Sequence, residues 1–583
     1  MRRSDVATTT AWQVPRGLAG DASAIRVSSP VISMGRGDCP TWHAVKAHPK
    51  LHEADTAGYV RKTIEDFPLG PLMRCLDLVE HHSAEVGAAL DRLTQTHGRF
   101  ADARRPPAHP GLLAWTADAV PRYLAARGKN QSARQQAGLE ELVPVNGTWR
   151  VIHWQPTPDA RGVRRYELPW WGRGYRSADG RERELWLPTY SPATHDRTAA
   201  EIALAAYVCG LGRLDDQQIS APRHATDPEP DRVKVVGVNC LTGMTRTLCD
   251  WDLDEVRRRY ERDAAPVLSQ IVAGDERVPG TNCVDCLALA GCSAVSRQPG
   301  ILPVGPPSRS VRRPRRTVSA WDLRVHQTCP ARYHMYRQLK LRTATVSTAE
   351  SDEVRRGRAV DAWLADSHRR GDRPARGCRA LPGPVDPADW SAGGHHLTGD
   401  VARVGAEMIA QHRTICPLDG LAAGEQVDVT RRLTVYDPDL DTLVVATPDL
   451  MYTQVGVWVW RETKTTRSMG KPYGGSVLRA YPQLAFAVVL IASGVLGVDP
   501  AQSRVELEIL QPDDCALEEL DPGMAATVDE ARNALAELVV PWAGDVDFPP
   551  RPSRRCHDCE VTPWCAAGQS FLAGATVTAG DRA

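Results

Sequence analysis

Thr442-Leu-Val-Val-Ala-Thr-Pro-Asp-Leu-Met-Tyr452 and Gly456-Val-Trp-Val-Trp-Arg-Glu-Thr-Lys-Thr-Thr466 stand almost back to back and decide the fold. Both are rich in β-branched and aromatic residues and read as two successive strands. Period-2 alternation places Glu462 and Lys464 on one face of the second strand, and an antiparallel hairpin brings Asp449 beside them. Two carboxylates and a lysine at one point have a specific use. The acids hold Mg²⁺ or Mn²⁺, the metal polarises a phosphoryl oxygen and activates water, and the lysine orients that water or offsets developing charge. The other reading of the same residues is a salt-bridged hairpin face, since Glu-x-Lys alone arises often by chance.

Beyond the hairpin lie an apolar helix from Tyr481, a strand at Arg504–Leu510, a helix from about Met524 to Leu538, and then Cys556, Cys559 and Cys565 in C-x2-C-x5-C order. A closed thiolate site for zinc or for a 4Fe-4S cluster needs four ligands, so a fourth Cys must come from elsewhere. The same spacing occurs at Cys283, Cys286 and Cys292. Ahead of each triplet stand, in the same order, a Cys-Pro dipeptide (Cys39 or Cys329), an Ala-rich apolar helix, a Val- or Leu-rich strand and a charged helix, at nearly equal separations. This layout implies a divergent internal duplication, the alternative being two unrelated zinc clasps. The expected organisation is a flexible leader over 1–37, a first domain over 38–292 and a basic, Pro-rich linker over 293–318. A second domain over 319–567 and a tail over 568–583 follow. Strands are expected around Trp149–Trp154, Arg165–Trp171, Glu184–Tyr190 and Arg232–Val238. In the first domain aromatic and proline residues replace the acids and the lysine, so no Asp…Glu-x-Lys set can be assembled there. Its Trp170, Trp171, Trp186 and Tyr190 suit core packing, or stacking on single-stranded bases.

The chain has 583 residues and a formal net charge of zero, so a nucleic-acid surface has to be a local patch. No signal-peptide core and no apolar run of membrane-spanning length is present, which points to a cytoplasmic protein without a membrane partner. Fifteen Cys in a reducing compartment read as metal ligands where clustered and as small core residues where scattered. No Walker A pattern occurs, so any unwinding has to come from a helicase or other DNA-processing partner.

From about Ser319 to Ala567 the chain resembles the RecB-like branch of the PD-(D/E)XK nucleases, particularly those with an iron-sulfur clasp such as the CRISPR-associated RecB-like exonucleases. The resemblance rests on Cys329-Pro-Ala-Arg-Tyr-His, Arg356-Gly-Arg-Ala-Val-Asp-Ala-Trp-Leu, Gly424-Glu-Gln, Thr447-Pro-Asp-Leu, Glu462-Thr-Lys464, Gln483-Leu and the terminal Cys triplet. It implies an α/β (α+β) fold of tandem restriction-endonuclease-like domains, each a mixed central sheet flanked by helices and closed by a four-Cys metal clasp. It further implies a Mg²⁺- or Mn²⁺-dependent deoxyribonuclease, exonucleolytic, acting on single-stranded DNA or free ends in repair, processing or defence. Asp449 and Glu462 are implied as metal ligands, Lys464 as the catalytic lysine and Gln483 as a contact to the DNA backbone. Cys329, Cys556, Cys559 and Cys565 are implied to hold a 4Fe-4S cluster. For the first domain, with Cys39 as fourth ligand to Cys283, Cys286 and Cys292, zinc competes with a second cluster. Two positions depart from the family pattern. Asp361 stands where a metal-ligating His is usual, and Ala487 stands where a Tyr is usual, with Phe486 or Tyr481 available to replace its packing. Glu425 reads as a surface residue at the head of a strand, or as an acid supporting the site. A non-catalytic nucleic-acid-binding scaffold subunit is the alternative function.

Overall fold

The computed structural model describes residues 12–33, 38–54, 67–94, 108–156, 163–190, 197–214, 229–305, 315–341, 351–369, 377–467, 476–497 and 499–580. In the N-terminal half, Cys39 is the N-cap of α1 (Pro40–Ala47), whose first turn accepts proline because its N–H has no helical partner. Five strands, β1 (Val143–Pro144), β2 (Arg173–Arg176), β3 (Glu182–Thr189), β4 (Arg232–Asn239) and β5 (Thr245–Asp252), form one sheet in the order β5-β4-β3-β2-β1. Only β3 and β4 run parallel within it. A parallel pair needs a crossover, and α2 (Ala199–Leu211) supplies it. A Thr198–Glu201 capping box starts α2, and nearly every one of its residues is buried, as an apolar helix requires.

The C-terminal half repeats this plan. Two helices, α3 (Asp352–Arg369) and α4 (Gly399–Ile415), precede β6 (Val427–Val429), β7 (Leu450–Gln454), β8 (Val457–Thr465), β9 (Arg504–Leu510) and β10 (Cys515–Leu520). The order is β6-β7-β8-β9-β10, again with one parallel pair, β8 and β9, crossed over by an apolar helix, α5 (Pro482–Ala492). The chain is an α/β protein of mixed sheets flanked by helices. Strand order, strand direction and crossover agree between the halves.

Two expectations give way. Residues 12–33 are not a loose leader: Leu18–Gly20 pairs with Leu51–Glu53, Ala24–Arg26 pairs with Val163–Pro169, and Ile25, Val27, Val31 and Ile32 are buried in the first core. Their apolar side chains outweigh the Ser- and Gly-rich composition. The Pro-rich run is not a free tether at its ends either. Ser296–Arg297 pairs with Leu433–Asp437, and Arg316–Val318 with Thr442–Ala446, as outer strands of a four-stranded sheet in the second half. Its most basic part lies outside the described residues. The last helix, Ala566–Gly580, occupies most of the expected tail.

Behind the β8 strand, Arg461 is buried with Glu506 and Glu508, its Nε 2.7 Å from Glu506 Oε2 and its Nη1 3.2 Å from the Ile415 carbonyl. Removing one member of a buried charge network leaves the others uncompensated, at about 3–5 kcal/mol. Arg461→Ala is therefore expected to lower the unfolding free energy by about that amount in urea titrations.

The two halves also lean on each other's clasps. Cys39, Cys283 and Cys286 share an apolar cluster with Tyr436 and Leu443 of the second half. Cys559 and Cys565 pack with Trp115, Tyr123 and Leu112 on the long N-terminal helix Pro110–Gln136, and Trp564 Nε1 donates to Asp118 at 3.1 Å. Each clasp is thus part of the seam between halves.

Candidate active site

Asp449 lies just before β7, opposite Glu462 of β8 in the register that pairs Leu450 with Arg461. The hairpin closes through Val455 and Gly456, both at positive φ, a turn whose twist matches its strands. The Thr463 N–H donates to Asp449 Oδ2 at 2.9 Å, which fixes that carboxylate over the strand. Glu462 is buried, and Trp460 Nε1 donates to its Oε1 at 2.9 Å. Lys464 Nζ stands 3.8 Å from Asp449 Oδ2 and 3.7 Å from Glu462 Oε2, and donates to the Thr463 carbonyl at 2.8 Å. Asp361, on α3, faces solvent at the rim of the group, close enough that its charge acts on Lys464 and on Asp449.

The electrostatics are those of an acid cluster short of positive charge. Burial pushes Glu462 up to about 8, Asp449 adds to the push, and Lys464 opposes it. Asp361 is raised by the surrounding protein and by Asp449, with Lys464 again opposing. Desolvation draws Lys464 down, but Asp449, Glu462 and Asp361 outweigh it and hold the ammonium above its ordinary value. One lysine does not balance three acids. The hard carboxylate oxygens of Asp449 and Glu462 are the donor type a divalent cation takes, and a cation there would remove the cost of ionising Glu462. A carboxyl raised in the folded state keeps its proton where the unfolded chain has lost it. Glu462 therefore contributes stability below the ordinary carboxylate range that is lost as pH rises towards about 8. The metal-free protein is expected to melt at lower temperature as pH rises through that window. Mg²⁺ is expected to bind more tightly over the same window, with protons released, as calorimetry in buffers of different ionisation enthalpy will read.

The structure brings Asp361, Asp449, Glu462 and Lys464 together. Gln483 stands apart from their hydrogen bonds, half-buried in the first turn of α5, and Tyr481 just ahead of it is in electrostatic reach of Lys464. Ala487 and Phe486 are core residues of α5, so Phe486 offers nothing to the site. Glu425 supports the far end of the hairpin, accepting from the Gly456 N–H at 3.2 Å, and is not part of the acid cluster.

In the N-terminal sheet the positions on the face covered by the crossover helix are Gly174, Leu185 and Leu187. Leu185 pairs with Gly174 and Val235 there, as Glu462 pairs across β9 with Leu507. In strand order, the positions that answer to Asp449, Glu462 and Lys464 hold glycine and leucines, not the aromatic and proline residues expected. Trp170 and Trp186 are fully buried and unavailable to stack on bases. The swap also appears on the opposite face, where Glu184 with Lys234 at 3.6 Å stands at the positions of Arg461 and Glu506.

Both sets of clasp cysteines are gathered from their distant segments, and their sulfurs accept backbone N–H bonds in matching places. Val278 donates to Cys39 and Arg551 to Cys329; Gly280 donates to Cys283 and Ser553 to Cys556, all at 3.4 Å. Such donors suit thiolate ligands of a metal.

A further group escaped the sequence reading, which took the scattered Cys for core residues. His368, Cys378, His412 and Cys416 are all buried, with ligand atoms within 4.8 Å of one another, and could hold a metal. The signal was His412-x3-Cys416, two ligands one helical turn apart.

Residues 317–566 match the family model described as the PD-(D/E)XK nuclease superfamily, so this part of the chain is a nuclease domain of that superfamily. No curated protein matches the chain. Among solved structures it is similar to one titled "Crystal structure of SSO0001", at 14% identity and TM-score 0.21, over 43% of this chain and 86% of that one.

Proposed function

We propose that the C-terminal half is a Mg²⁺- or Mn²⁺-dependent deoxyribonuclease, exonucleolytic, acting on single-stranded DNA or free ends in DNA repair, processing or defence. The convergence of Asp361, Asp449 and Glu462 with Lys464 carries this reading. Bound there, a divalent cation supplies Lewis acidity towards the phosphoryl oxygen and a water of lowered pKa. Asp449 is oriented for its task by the Thr463 N–H, and Glu462 by Trp460. Lys464, kept protonated by its three acids, can donate to the attacking water and offset charge building on the phosphate.

Arg356 lies in α3 beside the end of the catalytic strand; a Cβ on its neighbour Gly357 would be 3.1 Å from Thr465 Oγ1. Its guanidinium is buried, and Nε and Nη1 have no partner among the described residues. At 1% exposure it is closed to DNA, as Trp170 and Trp186 are, so phosphate contacts fall to other side chains. Gln483 is assigned to the DNA backbone.

The N-terminal half is read as a silent copy of the nuclease domain, supported by its strand order, its matching N–H···S bonds and its charge-swapped pair. Cys329, Cys556, Cys559 and Cys565 are assigned a 4Fe-4S cluster of structural role. Cys39, Cys283, Cys286 and Cys292 are assigned a second cluster, with zinc as the competing occupant. End-labelled single- and double-stranded DNA incubated with Mg²⁺ or Mn²⁺ tests the activity. Stepwise shortening abolished by EDTA is expected; binding without cleavage selects the scaffold reading instead, in which the departure at Asp361 has silenced the site.

A further inference from the structure

We propose that His368, Cys378, His412 and Cys416 bind one structural Zn²⁺ that fastens the Asp361 helix, α3, to α4 and to the back of the catalytic sheet. The four residues come from three places: the C-terminal turn of α3, the segment after it, and the end of α4 with its C-cap. Their exposures are 7%, 0%, 0% and 5%, so two imidazoles and two thiols converge in the interior of the domain. Groups of this kind are costly to bury unless something satisfies them together.

The distances are those of a tetrahedral zinc site. With Zn–N of about 2.0–2.1 Å and Zn–S of about 2.3 Å, tetrahedral geometry places two nitrogens about 3.3 Å apart and a nitrogen and a sulfur about 3.6 Å apart. His368 Nε2 lies 3.2 Å from His412 Nε2 and 3.7 Å from Cys416 Sγ. The outer contacts also match. His412 holds its other nitrogen, Nδ1, 2.6 Å from Glu508 Oε1, a carboxylate that turns Nε2 into the free lone pair. Cys416 Sγ accepts the Cys378 N–H at 3.4 Å. Cys378 reaches the site because its neighbour is Gly377; a Cβ there would meet Asp419 Oδ1 at 1.9 Å. Borderline-soft thiolate and imidazole donors select zinc over the hard Mg²⁺ of the acid cluster.

The position gives the site its role. Glu508 pairs in register with Thr463 and accepts from its Oγ1 at 3.2 Å, and Thr463 is the residue whose N–H holds Asp449. His368 lies two helical turns beyond Asp361 on the same helix. A zinc at this point therefore ties α3, and with it Asp361, to the strand that carries Glu462 and Lys464.

Zinc K-edge X-ray absorption and metal analysis on the intact chain test this. Expected is a zinc whose shell contains imidazole nitrogen at about 2.0–2.1 Å beside sulfur at about 2.3 Å. Cys378→Ser and His412→Gln are expected to lower zinc by one atom per chain, with iron unchanged. If either variant fails to fold, the spectrum of the unaltered protein decides. Zinc ligated by sulfur alone, no zinc, or a Cys378–Cys416 disulfide overturns the proposal. Its failure is distinguishable from that of the nuclease reading, because Asp449→Ala is expected to keep this zinc whether or not the chain cleaves DNA.

Discussion

Asp449→Ala and Lys464→Ala are each expected to lower Mg²⁺-dependent DNA cleavage by at least about 10²–10³-fold, the usual cost of removing one preorganised electrostatic group. The two losses should differ in kind. Asp449 is the acid that the Thr463 N–H orients and that stands opposite Glu462, so its removal is expected to weaken Mg²⁺ binding as well as turnover. Lys464 repels a cation, so its removal is expected to leave Mg²⁺ affinity equal or higher while turnover falls. Lys464→Arg should not rescue, because a planar guanidinium cannot occupy the compact place of an ammonium 3.7 to 3.8 Å from two carboxylates. Calorimetric Mg²⁺ titration beside a cleavage time course reads both quantities. Cleavage unchanged in both alanine variants refutes the site.

The hairpin and its three polar residues were legible in the sequence because period-2 alternation is a local property of one strand pair. Asp361 was legible only by likeness to a family motif, since nothing local on α3 says that the middle of the helix lies within electrostatic reach of Asp449 and Lys464. That Leu185 and Leu187 stand in strand order at the places of Glu462 and Lys464 is illegible in the sequence for a related reason. Which face of β3 meets the crossover helix is fixed by tertiary packing, and a shift of one residue exchanges faces. The buried group of two His and two Cys escaped because its ligands are dispersed and only His412-x3-Cys416 is local. Residues 12–33 were misread from composition, where a few buried aliphatic side chains outweigh many small polar ones.

The packing of the halves bears on what the N-terminal half does. The long helix Pro110–Gln136 covers the second clasp, while the first clasp is covered by the four-stranded sheet of the second half. Each half thereby supplies apolar surface against which the cysteine cluster of the other packs.

Breaking the second clasp is accordingly expected to undo more than the clasp. Cys329 accepts the Arg551 N–H from 222 residues away, so a metal joining Cys329 to the triplet closes a very long loop. By analogy with a disulfide over such a loop, the closure is worth about 5 kcal/mol, a large fraction of the stability of an ordinary domain. Cys556→Ser is expected to lose the metal of that site, about four irons with sulfide if it is a 4Fe-4S cluster. Because Cys559 and Cys565 pack on Trp115 and Tyr123, the same change should lower the melting of both halves together and expose the Pro110–Gln136 helix to protease. Limited proteolysis beside iron, sulfide and zinc analysis reads both effects. Full metal content with unchanged melting in Cys556→Ser shows that no metal joins these cysteines, whereas loss of metal with melting confined to the second half shows that the seam is not cooperative.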